Sequence, residues 1–116
     1  MKNIQITAKF KIHKGKLDEF KNIASACIVA VTKNEKGKGA LQYVWFFSPD
    51  NSECVVRETY ADSNAVLAHM GNVGELLGQL FGMSDFELEI YGNPSEELQN
   101  AAAGLNPKVY SFYQGL

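Results

Sequence analysis

The chain is poor in the residues that carry the most recognisable chemistries: 116 residues include two cysteines, two histidines and a single arginine. Cys27 and Cys54 sit inside apolar segments with no His or Lys beside them. Such thiols read as small core residues in a reducing compartment, because a catalytic thiol needs a nearby base or helix N-terminus to lower its pKa. His13 and His69 are far apart, and no Cys-x-x-Cys or His-x-x-x-His spacing occurs, so no metal site is expected. No apolar run approaches the roughly 18–20 residues of a membrane span. The first six residues alternate like a strand and contain no signal-peptide core. The expectation is a cytoplasmic protein with no membrane partner. There are no internal repeats and no low-complexity segments.

Charge is scarce overall, at −2, but uneven. Residues 1–38 hold nine Lys and three acids, +6; residues 39–116 hold Arg57 and Lys108 against ten acids, −8. A nucleic-acid site would gather its cations on one element. Here the lysines scatter over a strand, a helix and a loop, so no nucleic-acid partner is expected.

What is present is a mixed pattern of strands and helices. Residues 3–12 alternate as a strand, with Ile4, Ile6, Ala8, Phe10 and Ile12 on one face. Leu17, Phe20, Ala24, Cys27, Ile28 and Val31 recur at helical spacing, predicting a helix over about 16–33. Asn34 to Gly39 reads as an exposed loop. Strands over 41–48 and 53–60 flank the turn Pro49-Asp50-Asn51-Ser52. Asp62 or Ser63 caps a helix that Gly71-Asn72 breaks, and a second short helical piece follows through Val73, Leu76, Leu77, Leu80 and Phe81. Phe86, Leu88 and Ile90 mark a fourth strand. Ser95 caps a short helix, and Val109 to Tyr113 reads as a last strand. The order is that of an α+β, ferredoxin-like βαββαβ sandwich, one domain with a core of about 3–92 and a helix-strand extension of about 93–116.

The stretch Leu41 to Phe47 is apolar on both sides of a strand: Leu41, Tyr43, Trp45 and Phe47 point one way, Val44 and Phe46 the other. A strand apolar on both faces needs cover on both. The helices suffice for one sheet face only. The expectation is a homodimer through the sheet face, with the C-terminal strand extending the neighbour's sheet.

Three segments resemble the antibiotic-biosynthesis-monooxygenase-like family of dimeric α/β barrels: Gly15-Lys16-Leu17-Asp18-Glu19-Phe20, Gly39-Ala40-Leu41-Gln42-Tyr43, and Arg57-Glu58-Thr59-Tyr60-Ala61-Asp62 with Ala65, Leu67 and His69. Glu58, Tyr60 and His69 match the family's spacing of Glu, aromatic and His; Tyr60 stands where Trp is frequent. The resemblance covers about residues 3–92. It implies cofactor-independent oxidation, by O2, of a small aromatic or quinol, in which the substrate supplies the redox chemistry and the protein a dry pocket and a base. The haem-degrading branch carries an Asn in the first strand where this chain has Ala8, which cannot donate a hydrogen bond. No cofactor is implied.

The resemblance nominates His69, Tyr60 and Glu58 as catalytic. His69 is either a base for a phenol or a tie between helix and strand. Glu58 either orients His69 or bonds backbone across a dimer. Tyr60 either donates to a bound oxygen or packs with its hydroxyl satisfied. Trp45, Tyr43, Leu77 and Phe81 are the candidate substrate-binding residues, with core or interface packing as the alternative for the first two. Leu76, Leu80 and Met83 join Leu77 and Phe81 as a roof that Gly74, Gly78 and Gly82 would let move. Arg57 either steadies an anion or pairs between subunits with Glu87 or Glu89. A non-catalytic dimer that holds a small apolar ligand is the alternative to an enzyme.

Overall fold

The computed structural model describes residues 2–116. In chain order the elements are β1 (Ile4–Ile12), α1 (Leu17–Asn34), β2 (Ala40–Phe47), β3 (Glu53–Tyr60), α2 (Ser63–Phe81), β4 (Ser84–Tyr91), α3 (Glu96–Ala102), a 3-10 turn (Ala103–Leu105) and β5 (Lys108–Tyr110). The sheet order is β2-β3-β1-β4-β5. The first four strands are antiparallel to their neighbours and β5 is parallel to β4. This is the ferredoxin-like βαββαβ arrangement with a C-terminal helix-strand extension.

Register explains which face is buried. Ile6 pairs with Glu58 and Ile90, Ala8 with Val56 and Leu88, Phe10 with Cys54 and Phe86. On the edge strand, Tyr43, Trp45 and Phe47 pair with Glu58, Val56 and Cys54. Directly paired residues share a sheet face, so all of these lie under the helices. Phe20 of α1 seals the centre, edge-on to Phe10 with centroids 5.3 Å apart and to Trp45 at 6.4 Å. Cys27 and Cys54 are fully buried in this core. Burial pushes their thiols up, to about 11 and about 12.

Several expectations need correction. α2 runs unbroken through Gly71, Gly74 and Gly78, which lie on its exposed side, while Val66, His69, Val73 and Leu80 are buried beneath. Tertiary burial of one helical face outweighs the ~1 kcal/mol propensity cost of each Gly. β2 is not apolar on two full faces. A register shift between Ala40 and Gln42 takes Leu41 out of the alternation and leaves it exposed. The uncovered face holds Lys9, Lys11, Arg57, Glu87 and Glu89 beside Val44 and Phe46, and is mixed rather than greasy. The last strand is shorter than expected and pairs with β4 of its own chain, from Glu89 with Lys108 to Tyr91 with Tyr110. The loop after α1 is not wholly exposed either, because Glu35 within it is buried.

Candidate functional site

Sheet register and the α2 cap together build one polar cluster in an otherwise apolar interior. Asp62 caps α2 by accepting from the Ala65 N–H at 2.9 Å. About two turns further, α2 buries the His69 ring between Tyr43 and Tyr60, with centroid separations of 5.2 and 5.1 Å. His69 Nδ1 lies 3.0 and 3.1 Å from the two carboxylate oxygens of Glu35, at the C-terminal end of α1. Nε2 faces Glu58 Oε1 at 3.5 Å. The same oxygen accepts the Tyr60 hydroxyl at 2.5 Å. Asn72, three residues along α2, donates to Glu35 Oε2 at 3.3 Å.

The cluster is deeply placed: Glu35, Glu58 and His69 are 4%, 6% and 6% exposed. A buried carboxylate is costly unless paired and hydrogen-bonded. Desolvation pushes the Glu58 carboxyl up, and the nearby Glu35 carboxylate adds to this; His69 and the Tyr60 hydroxyl oppose it. Glu58 Oε2 takes no hydrogen bond among the described residues. Burial first, then the Glu58 charge, pushes the phenols of Tyr43 and Tyr60 far up, so both stay protonated donors.

Beside this cluster lies a cavity of about 50 Å3 between the sheet and α2. Its walls are Ile6, Ala8 and Phe10 of β1, Tyr43 and Trp45 of β2, Val56 and Glu58 of β3, and Phe86, Leu88 and Ile90 of β4. Val66, His69, Met70 and Leu77 of α2 roof it, and Leu98, Ala102 and Leu105 close one end. Glu58 and His69 are its ionisable groups apart from the Tyr43 phenol. The Trp45 indole N–H is buried without a hydrogen-bond partner among the described residues. Water needs roughly 10–15 Å3 per molecule by this measure, so the cavity as built holds a few waters or a small group.

The structure thus brings Glu58, His69, Tyr43, Trp45 and Leu77 to one cavity. Tyr60 is fully buried behind Glu58 and does not line it. Phe81 lies at the far end of α2 and packs on Phe86 with centroids 4.7 Å apart. Of the expected roof, Leu77 alone reaches the cavity, because the unbroken helix presents its N-terminal half there. Sequence reasoning missed Glu35, whose neighbours Lys33, Lys36 and Lys38 suggest a solvated run, and the end wall from α3. The helical i, i+4 spacing of Leu98 and Ala102 was the available signal for the latter.

A ferredoxin-like sheet with an acid–histidine pair inside an apolar chamber defines a small α+β domain equipped for proton transfer in a dry setting. Residues 4–74, more than half the chain, match the model of the antibiotic biosynthesis monooxygenase family, and the chain belongs to that family. Among solved structures it is similar to MupZ from Pseudomonas fluorescens, with 24% identity, a TM-score of 0.86, and coverage of 100% of this chain and 90% of that one. A conserved protein from Methanosarcina mazei Go1 matches with 22% identity and a TM-score of 0.70, over 78% of this chain and 92% of the other. SnoaB, a cofactor-independent oxygenase from Streptomyces nogalater, matches with 14% identity and a TM-score of 0.67, over 82% and 96%. At these identities the likeness to solved structures speaks for the fold. Comparison with curated protein sequences gives no match. Among the described residues no helix is long and apolar enough to cross a membrane.

Proposed function

We propose that the protein is a cofactor-independent monooxygenase for a small aromatic or quinol-type substrate, with Glu58 rather than His69 as the group that takes the substrate's proton. The observation that carries this reading is the pairing around His69. Both ring nitrogens face carboxylates, whereas Glu58 keeps Oε2 without a partner beside the cavity. A carboxyl whose proton affinity is raised by burial suits a base working near neutral pH. Tyr60 then supports Glu58 from behind, and Tyr43 and Trp45 supply donors to a substrate oxygen.

The chemistry balances without a cofactor. Glu58 removes the proton of a phenolic O–H. The resulting electron-rich anion passes one electron to O2, and the radical pair joins by a C–O bond to form a peroxide. Loss of the ring hydrogen and cleavage of the O–O bond leave one oxygen on the ring as a quinone carbonyl. The second oxygen leaves as water, taking up the former ring hydrogen as a proton and the proton that Glu58 returns. The apolar walls support the reading, since a water-poor cavity favours charge transfer to a neutral gas. A neutral substrate suits a site that already holds two carboxylates. A ring exceeds the present cavity, so the walls must yield on binding.

The test is oxygen uptake with a panel of hydroquinones and phenols. Glu58→Gln is expected to lower kcat by about 10²–10⁴-fold and His69→Gln by less. If no quinol consumes O2 yet several raise the melting temperature, the protein is instead the ligand-holding form of this fold. The unpartnered Trp45 N–H favours that second reading equally, since either ligand would satisfy it.

Members of the family typically dimerise. The uncovered sheet face, with Val44 and Phe46 exposed beside an Arg57 that makes no ion pair among the described residues, supports a homodimer through that face.

A further inference from the structure

We infer that Glu35 is a positioning residue for the site: it holds the proton of His69 on Nδ1 and so leaves Nε2 to share a proton with Glu58. This deepens the function proposed above and rests on it for its catalytic consequence, though not for its structural content. Glu35 stands outside the three sequence-nominated residues, on a different element, and nothing else on α1 explains its burial.

Four observations converge. The Glu35 side chain turns inward although Lys33, Lys36 and Lys38 surround it in sequence. Both of its oxygens lie within hydrogen-bonding distance of the same ring nitrogen. Asn72 fixes one of those oxygens from the next turn of α2. The backbone around it is clipped: the Glu35 N–H donates to Val31 O at 2.8 Å, and Glu35 O accepts from the Lys38 N–H at 2.8 Å. A carboxylate only accepts hydrogen bonds, so the nitrogen facing it must carry hydrogen. Nε2 either donates to Glu58 or accepts from it, and one proton lies between them. The 3.5 Å separation is long for a hydrogen bond, as contacts in a site without substrate often are. The remaining groups facing His69 are Tyr43 and Tyr60, both protonated, with Cys27 beyond Tyr43. β1, β4 and α3 bring only apolar side chains to the cavity. No other described acceptor competes with Glu35 for Nδ1.

Two-bond 1H–15N correlation spectra of the full chain test this, with His13 assigned through His13→Gln. In its neutral form, the wild-type His69 ring is expected to be the Nδ1–H tautomer. A wild-type spectrum with hydrogen on Nε2 and a bare Nδ1 overturns the inference without any variant. Glu35→Gln keeps the side-chain shape but offers Nδ1 a donor as well as an acceptor. Its His69 signals are therefore expected to move toward a mixture of tautomers, and unchanged signals in a folded variant count against the inference. With a hydroquinone that wild type oxidises, Glu35→Gln is expected to lower kcat about tenfold at constant KM. A shifted tautomer with unaltered kcat would remove the catalytic role. If wild type oxidises no quinol, the function proposed above fails, while the spectra still decide the role of Glu35.

Discussion

Glu58 concentrates the cost and the use of this fold in one side chain. Its carboxyl is held above the ordinary range by desolvation, so the folded state binds its proton more tightly than the unfolded chain does. For a group whose folded pKa is raised, the stabilising contribution is complete below the unfolded value, near 4.5. It is lost as pH rises from there through the raised folded value. Chemical denaturation from pH 4 to 8 is therefore expected to show wild type losing stability relative to Glu58→Gln as pH rises, with the gap closing toward pH 4. A constant gap would mean that Glu58 is compensated in both states. The two thiols give a contrasting case. Cys27 and Cys54 are wholly buried and pushed up by burial, so neither supplies thiolate near neutral pH. Ellman's reagent is expected to find no thiol in the native protein and two after denaturation. Their inert character was readable from apolar neighbours alone. Glu58 and His69 were legible only through the resemblance, because their spacing matches the family's Glu, aromatic and His. Glu35 was not: its burial depends on a contact 34 residues away, and every local feature of its segment points to solvent.

At the scale of elements, glycine carries the clearest lessons. Gly74 and Gly78 suggested a mobile roof, beyond a break at Gly71-Asn72, because propensity was read without knowing which side they occupy. They lie on the solvent side of α2, where an added Cβ would meet nothing within 4 Å. Ala at either position is expected to stabilise by about 0.5–1 kcal/mol. That raises the melting temperature by roughly 2–6 °C in a domain of this size. Gly39 behaves oppositely. Its φ is +129° and a Cβ there would stand 2.7 Å from Ala65 Cβ on α2. Its carbonyl accepts from the Ala61 N–H, tying the entry of β2 to the exit of β3. Gly39→Ala is expected to lower the melting temperature and disturb the start of α2. The strands were legible because their apolar residues repeat every second position, and the Asp62 and Ser95 caps because their side chains precede helical runs. α3 was legible as a helix but not as a wall. Leu98 is fully buried and closes one end of the cavity. Leu98→Ala is expected to cost about 2–5 kcal/mol and to enlarge the chamber, which differential scanning fluorimetry with a bulky phenol would register as a larger ligand-induced shift than in wild type.

For the whole molecule, the homodimer proposed above turns on the outer sheet face. Across it runs the row Val44, Arg57, Thr7, Glu89 and Lys108, one residue from each strand. Toward β4 the face is internally satisfied: Lys9 pairs with Glu89 at 3.6 Å, and the Tyr91 hydroxyl donates to Glu89 at 2.7 Å. Toward β2 it is not. Val44 and Phe46 are 40% and 52% exposed, and neighbouring Arg57 has no ion-pair partner among the described residues. An apolar flank beside an unmatched cation suits a two-fold contact, in which the same patch meets itself and each Arg57 finds an acid of the other copy. The drive is therefore a local apolar contact with polar matching, weaker than the all-aromatic face that the alternation of Leu41 to Phe47 suggests. Phe46→Glu tests it cleanly, because so exposed a side chain contributes little to the core of its own subunit. Sedimentation at micromolar concentration is expected to give a dimer for wild type and a folded monomer for Phe46→Glu, with unchanged far-UV circular dichroism. Burying a glutamate against its own symmetry mate leaves two like charges unpaired, which is enough to weaken association by at least about tenfold. A wild-type protein that sediments as a folded monomer would remove the face-to-face dimer. Glu58, His69 and Glu35 would be untouched by that outcome, since all three come from one chain and lie on the opposite side of the sheet.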